Sequence, residues 1–166
     1  MMEIAIREMR ASDIEEASRV VCDSFRWGAE REGFTSDQIN GYFAERGSPE
    51  ALRAQFPLCR WLVACKGDRI IGVVAVKGNE IDKLYVDPRF FRQGIGRRLF
   101  QGAEELIVRS GHKEITLGTG FPSTLPFYRA MGMHESGRKT IAVGPCVRRT
   151  STLLVKPASR RRATHD

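Results

Sequence analysis

The stretch Lys83–Gly111, KLYVDPRFFRQGIGRRLFQGAEELIVRSG, constrains the fold most, because it encodes a strand, a glycine turn and a helix in direct succession. The β-favouring residues of Glu80–Val86 predict the strand. Asp87-Pro88 ends it, because proline lacks an N–H for a ladder and restrains the residue before it. From Ile95, apolar residues recur on one face at helical spacing, which predicts a helix that ends near Gly111.

The turn between the predicted strand and helix has the composition of an anion-binding site. Gly94 and Gly96 allow the backbone to bring several N–H groups to one point without an interfering Cβ. The first N–H groups of a helix lack intrahelical acceptors and lie at the positive end of the helix dipole. Arg92 and Arg97 add positive charge, so the turn predicts a pyrophosphate ligand.

Two common phosphate-binding motifs do not fit this turn. A dinucleotide fingerprint requires a third glycine where Leu99 stands, and it lies near the start of a βαβ unit rather than past mid-chain. A P-loop requires a Gly-Lys-Ser/Thr ending, which the turn lacks. The loop chemistry alone therefore leaves the identity of the ligand open.

The composition predicts one ordinary globular domain. The chain has 166 residues, 42% of them hydrophobic and 28% charged, which is enough to bury most of its apolar surface. We expect a single domain over residues 1–156 and a short, basic, flexible tail over residues 157–166. The longest apolar run, Ile70–Val76, is too short to cross a bilayer. The N-terminal segment MMEIAIREMR carries Glu3 and Glu8 and has no apolar core or cleavage site, so it does not resemble a signal peptide.

Cysteine usage predicts reduced thiols in a cytoplasmic protein. Cys22, Cys59, Cys65 and Cys146 form no C-x-x-C pair and have no metal-ligand spacing to a histidine, so no metal is expected. The net charge of +7 and the basic tail raise nucleic-acid binding as an alternative. No aromatic–basic recognition motif accompanies them, which disfavours a nucleic-acid partner.

Hydrophobic periodicity predicts an α+β fold, an α/β sandwich-like arrangement in which helices flank a mixed, mostly antiparallel central sheet. The predicted strands are Glu3–Glu8, Trp61–Cys65, Arg69–Val76, Glu80–Val86, Glu114–Thr119, one beginning at Met133–Glu135, and a last hairpin of Thr140–Val143 and Val147–Val155 around Gly144-Pro145. The predicted helices run from Ser12 or Asp13 to about Trp27, over Ser36–Glu45, over Pro49–Phe56 after a Ser48 cap, from Ile95 to the Gly111 stop, and over Ser123–Met131 with Ser123 as cap.

The order of these elements resembles the GNAT superfamily of CoA-dependent N-acetyltransferases. The resemblance lies in a strand ending Val-Asp-Pro, in Arg-Gln-Gly-Ile-Gly-Arg-Arg-Leu at Arg92–Leu99, and in Pro-Phe-Tyr-Arg-Ala-Met-Gly-Met at Pro126–Met133. The family's loop pattern is Arg/Gln-x-x-Gly-x-Gly/Ala, and its first position falls on Phe91. Arg92 and Gln93 follow directly and offer a displaced polar contact. The resemblance covers residues 60–135 best and implies a GNAT-like acyl-CoA N-acyltransferase fold.

The resemblance implies transfer of an acetyl group from acetyl-CoA to a primary amine by direct attack on the thioester. The pantetheine arm is expected to pair with the main chain of Leu84, Tyr85 and Val86 like an added strand, beside a bulge where the neighbouring strand splays away. Thr119 and Ser123 are expected within reach of the CoA arm. The expected pyrophosphate turn consists of Arg92, Gln93, Gly94, Ile95, Gly96 and Arg97.

Two side chains are the candidates for proton transfer. Glu80 stands where some family members carry a general base, which would remove a proton from the ammonium form of the acceptor. Asp82 shares its face if the strand is regular, and a water chain is the third alternative. Tyr128 stands where family members often have a tyrosine near the CoA sulfur, able to protonate the leaving thiolate; packing on the sheet is its alternative role.

The irregular segment 28–57 is expected to form one wall of the acceptor cleft. Its aromatic residues and carboxylates suit a cationic amine, although the aromatics filling the core is an equal alternative. The acceptor is a small-molecule or protein amine that the sequence leaves unidentified, and dimers are common among proteins of this resemblance. The alternative function is a catalytically weak acyl-CoA-binding or protein-interaction module of the same fold.

Overall fold

A seven-stranded sheet forms the centre of the computed structural model, which describes residues 2–142 and 148–159. Its strands are Ile4–Glu8 (β1), Arg60–Lys66 (β2), Arg69–Lys77 (β3), Glu80–Val86 (β4), Glu114–Thr119 (β5), His134–Ala142 (β6) and Arg148–Pro157 (β7). The strand order is β1-β2-β3-β4-β5-β7-β6, and β4 with β5 is the parallel pair among the described strands. The predicted mixed, mostly antiparallel sheet is confirmed.

Helices cover both faces of the sheet, as predicted. They are Ile14–Arg31 (α1), Ser36–Tyr42 (α2), Pro49–Gln55 (α3), Ile95–Arg109 (α4) and Leu125–Ala130 (α5). One face packs on α4, where Leu99 and Ile107 are completely buried, and the other packs on α1 and α3, where Val20 and Leu52 are completely buried. Burial of each such side chain stabilises the fold by about 1.5–3 kcal/mol. An apolar stripe at helical spacing therefore indicates a helix that packs on the sheet.

Several helices differ from their predicted bounds. α2 ends at Tyr42 rather than at Glu45, and α3 ends at Gln55 rather than at Phe56. α1 continues past Trp27 to Arg31, because Ala29 is completely buried and extends the apolar stripe by one more turn from Phe25. The segment predicted as one helix over Ser123–Met131 is divided into a 3-10 turn, Pro122–Thr124, and α5. The predicted Ser123 cap is wrong, because the Ser123 hydroxyl donates to Glu32 instead, at 2.5 Å.

The last hairpin is longer than predicted. The two short strands expected after Met133 form one strand, β6, which pairs with β7 along its whole length. The predicted turn at Gly144-Pro145 lies outside the described residues. β7 extends through Pro157, the Ala158 N–H donates to the Lys113 carbonyl at 2.9 Å, and residues 160–166 of the predicted tail lie outside the described residues.

Segment 28–57 is more regular than its sequence indicates. A π-helical turn, Phe43–Gly47, joins α2 to α3, and Ser48 accepts the Ala51 N–H at 3.2 Å, which confirms the predicted Ser48 cap. The Gly47 carbonyl accepts the Ser18 hydroxyl of α1 at 2.6 Å. This contact fixes the π-helical turn against α1.

The described residues form no cluster of three or more metal-ligating side chains, and Cys22, Cys59 and Cys65 are free thiols; Cys146 lies outside them. Among the helices of residues 2–142 and 148–159, none combines the length and apolar character needed to span a bilayer.

Candidate active site

β4 and β5 separate along their length. They pair at Glu80 and Thr116, after which β4 continues to follow β3 and β5 follows β7. A gap therefore opens between the second halves of two neighbouring strands, at the position where the sequence predicts a splayed pair.

Main-chain groups of β4 point into this gap. The Asp87 N–H donates to the Ile71 carbonyl of β3 at 2.8 Å. The N–H and C=O of one residue point to the same side of a strand, and those of the next residue point to the other side. The main-chain groups of Tyr85, two residues before Asp87, therefore also point toward β3. Those of Leu84 and Val86 point toward the gap. Of the three residues predicted to pair with a ligand, Leu84 and Val86 thus have no strand partner on the gap side among the described residues, and Tyr85 is already paired within the sheet.

The predicted bulge is at Asp82. The pairing of β3 with β4 omits this residue, since Ile81 and Lys83 face consecutive residues of β3. A bulge interrupts the regular alternation of side chains. The shared face of Glu80 and Asp82, which assumed a regular strand, is therefore not formed as predicted.

The predicted pyrophosphate turn leads directly into α4. Gly94 caps the helix with φ 76°, a left-handed conformation that suits glycine, and its carbonyl accepts the first helical bond from Arg98 at 3.1 Å. The N–H groups of residues 95–97 precede that bond and form the helix N-terminus. Arg92 has φ 63° and is exposed beside this turn.

Aromatic side chains border the turn. A Cβ on Gly96 would lie 3.4 Å from the Phe127 ring, so glycine here leaves just enough space for that ring. Phe91, where the family pattern has arginine or glutamine, packs edge-on against Trp27 of α1 with ring centroids 4.9 Å apart. Phe91 therefore contributes an aromatic wall rather than a polar contact.

A cavity of about 470 Å³ lies between α1, α2 and strands β4, β5 and β7. Val86 and the turn 92–97 are not among the described residues that line it. The cavity brings together these predicted site residues: Glu80, Leu84, Tyr85, Thr119, Ser123 and Tyr128.

Tyr128 of α5 lines the cavity and is 8% exposed. Burial, with a smaller contribution from Tyr85, raises the pKa of the Tyr128 phenol well above its usual value. The phenol is therefore neutral near neutral pH and keeps a proton to donate.

Thr119 and Ser123 also line the cavity, but their hydroxyls have protein partners. The Thr119 hydroxyl accepts the Phe121 N–H at 3.1 Å and lies 2.9 Å from the Thr124 hydroxyl, and Ser123 is bound to Glu32. These contacts shape the turn after β5.

The sequence did not predict the buried polar network that lies beside the cavity. The Asp82 carboxylate contacts Arg46 at 2.9 Å and Lys83 at 3.0 Å, and Lys83 Nζ donates to Gln55 at 2.6 Å. The Lys83 side chain is 0% exposed. Burial disfavours the charged form of both Asp82 and Lys83. For Asp82, the positive charges of Lys83 and Arg46 outweigh burial and lower its pKa below the usual value. For Lys83, burial outweighs the attraction of Asp82 and lowers the pKa of the ammonium group.

Aromatic residues from segment 28–57 both line the opposite wall of the cavity and pack on the buried cluster around Phe25. Tyr42 stacks on Phe25 with ring centroids 3.7 Å apart, and its hydroxyl lies 2.7 Å from the Tyr85 hydroxyl. Burial raises the pKa of Tyr42 to about 12, so this phenol is also neutral. Phe34 packs on Phe121 with centroids 5.3 Å apart.

Asp87 connects the end of β4 to α1. Its side chain is 1% exposed, and it accepts bonds from the Arg89 guanidinium at 2.8 Å and from Arg19 at 3.1 Å. Burial favours the neutral acid, but the bonds from Arg89 and Arg19 outweigh it and lower the pKa of Asp87 to about 2.

Stability should therefore depend on Asp87 in acid. Because its folded pKa lies below the unfolded value of about 3.9, the stabilisation is complete above about pH 4 and is lost as pH falls toward 2. Urea unfolding from pH 7 to pH 3 should show wild type about 2 kcal/mol more stable than Asp87→Asn at pH 7, with a smaller gap at pH 3. A constant gap would show that the ionised carboxylate contributes nothing.

The sequence of residues 30–147 matches the family model of the Acetyltransferase (GNAT) domain. Human N-acetyltransferase 8 is 28% identical over 120 residues, which is 65% of this chain and 48% of the human protein, so the chain spans about half the length of that relative.

Solved structures share the fold over nearly the whole chain. A GCN5-related N-acetyltransferase from Rhodopseudomonas palustris, also described as a class-II aminotransferase, has a TM-score of 0.84 at 19% identity, covering 95% of this chain and 98% of its own. The PaiA N-acetyltransferase from Thermoplasma acidophilum, in complex with coenzyme A, has a TM-score of 0.76 at 23% identity, covering 94% and 99%. With its splayed central strands, its glycine turn and this domain match, the chain belongs to the GNAT acetyltransferase family.

Proposed function

We propose that this protein transfers an acetyl group from acetyl-CoA to a primary amine by direct attack of the amine on the thioester. The observation that carries the proposal is the gap between β4 and β5, where the main-chain groups of Leu84 and Val86 lack a strand partner. The coenzyme A complex of PaiA, a protein with the same fold, supports CoA as the ligand of this gap.

The binding role belongs to two backbone features. Leu84 and Val86 offer N–H and C=O groups to an extended pantetheine arm, which would add to the sheet like a strand. The N–H groups of residues 95–97 at the start of α4, with Arg92 and Arg97 exposed beside them, suit a diphosphate. A gap-facing N–H of β4 also suits the acyl oxygen, where negative charge develops during attack.

Glu80 and Tyr128 are the two side chains that we assign to the reaction, Glu80 as the base and Tyr128 as a hydrogen-bond donor to the sulfur. Glu80 first takes one proton from the ammonium, directly or through water, which leaves a neutral amine. The amine nitrogen then forms a bond to the acyl carbon as the C–S bond breaks. The nitrogen loses its second proton as the amide forms, and this proton passes through water to the departing thiolate. Glu80 is exposed and lines the cavity, whereas Asp82 is held in ion pairs with Arg46 and Lys83. Glu80 is therefore the better base of the two carboxylates.

Tyr128 acts by donating its O–H to the leaving sulfur. Burial raises the pKa of this phenol, while a free thiol has a pKa of only about 8.5. Complete proton transfer from Tyr128 to the thiolate is thus uphill, and a hydrogen bond that stabilises the thiolate is the contribution that we assign to it.

Ligand binding and thiol release test the proposal together. Acetyl-CoA at about 100 times its Kd should raise the melting temperature by about 5–10 °C, because it binds the folded state, whereas NADH should not. Free thiol should then appear only when an accepted amine is added, in a screen of small amines, polyamines, amino acids and peptides with free N-termini.

The two readouts separate the alternatives. Stabilisation by acetyl-CoA without thiol release from any amine class would support the acyl-CoA-binding module instead. Stabilisation by NADH but not by acetyl-CoA would remove the assignment of the glycine turn.

A further inference from the structure

We propose that the acceptor carries a carboxylate near its amine, and that Arg149 recognises this carboxylate. The inference deepens the proposed acetyl transfer and rests on it. It names a substrate class, an amine that is also an acid, and a residue of this chain that selects it.

The β6–β7 hairpin supplies a cationic wall to the cavity. Lys139 of β6 and both Arg149 and Ser151 of β7 line it, and Lys139 lies opposite Ser151 in the ladder. Alternate residues of a strand share a face, so the adjacent Arg148 points away from the cavity, and it is exposed. The strand thus presents one arginine to the cavity and its neighbour to solvent.

Arg149 is held in place by an aromatic ring. Its guanidinium carbon lies 3.5 Å from the centroid of Phe34, and Phe34 packs in turn on Phe121 and on Phe25, with centroids 5.3 and 5.8 Å away. A guanidinium against a ring face keeps the N–H groups of its edge available, in a fork that matches a carboxylate. The contact orders the cation without neutralising its charge.

The charge of Arg149 has no acidic partner among residues 2–142 and 148–159, and the same holds for Lys139. Residues 143–147, VGPCV, contain no acid, and Asp166 lies outside the described residues. The Asp82 carboxylate, which also lines the cavity, forms its ion pairs with Arg46 and Lys83 and not with Arg149 or Lys139. Within the part of the chain that the structure describes, an anion on the ligand is the partner that this wall lacks.

The cavity therefore has opposite charges on two strands. Glu80 of β4 suits the ammonium form of the acceptor, and Arg149 of β7, beyond β5 in the sheet, suits its carboxylate. An amine without the carboxylate would leave the Arg149 guanidinium desolvated and unpaired in the complex, which disfavours it. Arg149 thus favours acceptors with a carboxylate in two ways: it attracts the carboxylate, and its desolvation disfavours amines that lack one.

Matched amines test the inference through thiol release. The pairs are phenylalanine with phenethylamine, β-alanine with ethylamine, and 4-aminobutyrate with propylamine, each differing by one carboxylate. Wild type should favour the acid of at least one pair by about 10- to 100-fold in kcat/KM. Arg149→Gln should remove this preference, Arg149→Lys should restore part of it, and Arg148→Gln is the control that should keep it.

Calorimetric titration of 3-phenylpropionate, a carboxylate without an amine, into the CoA-bound protein gives a readout besides turnover. Wild type and Arg148→Gln should bind it, and Arg149→Gln should bind at least about 10-fold more weakly. No binding to wild type, or equal binding to Arg149→Gln, would overturn the carboxylate assignment. If no amine at all releases thiol, acetyl transfer fails as the function, while the titration still decides the role of Arg149.

Discussion

Tyr128→Phe is expected to lower kcat by about 100-fold or more while leaving the affinity for acetyl-CoA unchanged. The phenol lines the cavity from α5, and burial keeps it neutral, so it can donate to the leaving sulfur. Phenylalanine keeps the packing of the ring and removes only the hydroxyl. Steady-state turnover and equilibrium binding of acetyl-CoA measure the two effects separately.

Tyr42→Phe is the matched control, because it also removes one hydroxyl from the wall of the same cavity. That hydroxyl is bound to Tyr85, so its loss should affect stability more than turnover. Since burial raises the pKa of Tyr128, wild-type kcat should not fall through ionisation of this phenol below about pH 10. Equal losses of turnover and acetyl-CoA affinity in Tyr128→Phe would make Tyr128 a packing residue.

Asp82→Asn is expected to lower the free energy of unfolding by about 3–5 kcal/mol. The substitution keeps the shape of the side chain but removes the charge that faces Lys83 and Arg46. Lys83 is then left as a completely buried cation with Gln55 as its remaining hydrogen-bond partner. A loss of this size is a large share of the stability of about 5–15 kcal/mol that is typical of domains.

A second substitution separates the charge from the shape. Asp82→Asn combined with Lys83→Met removes both buried charges and should recover most of the loss, because an apolar side chain needs no partner there. Asp68→Asn, on an exposed hairpin turn, is the control and should change stability by no more than about 0.5 kcal/mol. Urea unfolding measures all of them, and an Asp82→Asn variant as stable as wild type would show that the ion pair contributes nothing.

Local features of the fold were predictable because neighbouring residues decide them. α4 begins at Ile95, β4 covers Glu80–Val86 and β5 covers Glu114–Thr119, all as predicted. An apolar stripe, a proline after a strand and a glycine at a left-handed position act within a few residues. The parallel pairing of β4 with β5 also followed, since a long helix connects them.

The contacts missed from the sequence join residues that are far apart in it. Arg46 meets Asp82, Gln55 meets Lys83, and Arg149 lies over Phe34. Lysine and arginine are usually exposed, so residue type alone does not indicate these buried contacts. A lysine within the central strand was the available signal, but the bulge that directs it inward depends on the pairing of β3 with β4.

The sequence by itself determined the element types, the glycine turn before α4 and the family, because these depend on short-range backbone preferences and on residue order. Only the tertiary structure decided which groups meet in the cavity. In the tertiary structure the main-chain groups of Tyr85 point toward β3, Asp82 forms ion pairs with two cations, and Arg149 packs on the Phe34 ring. The physical reason is that burial and charge pairing depend on distances between elements, which a linear sequence does not contain.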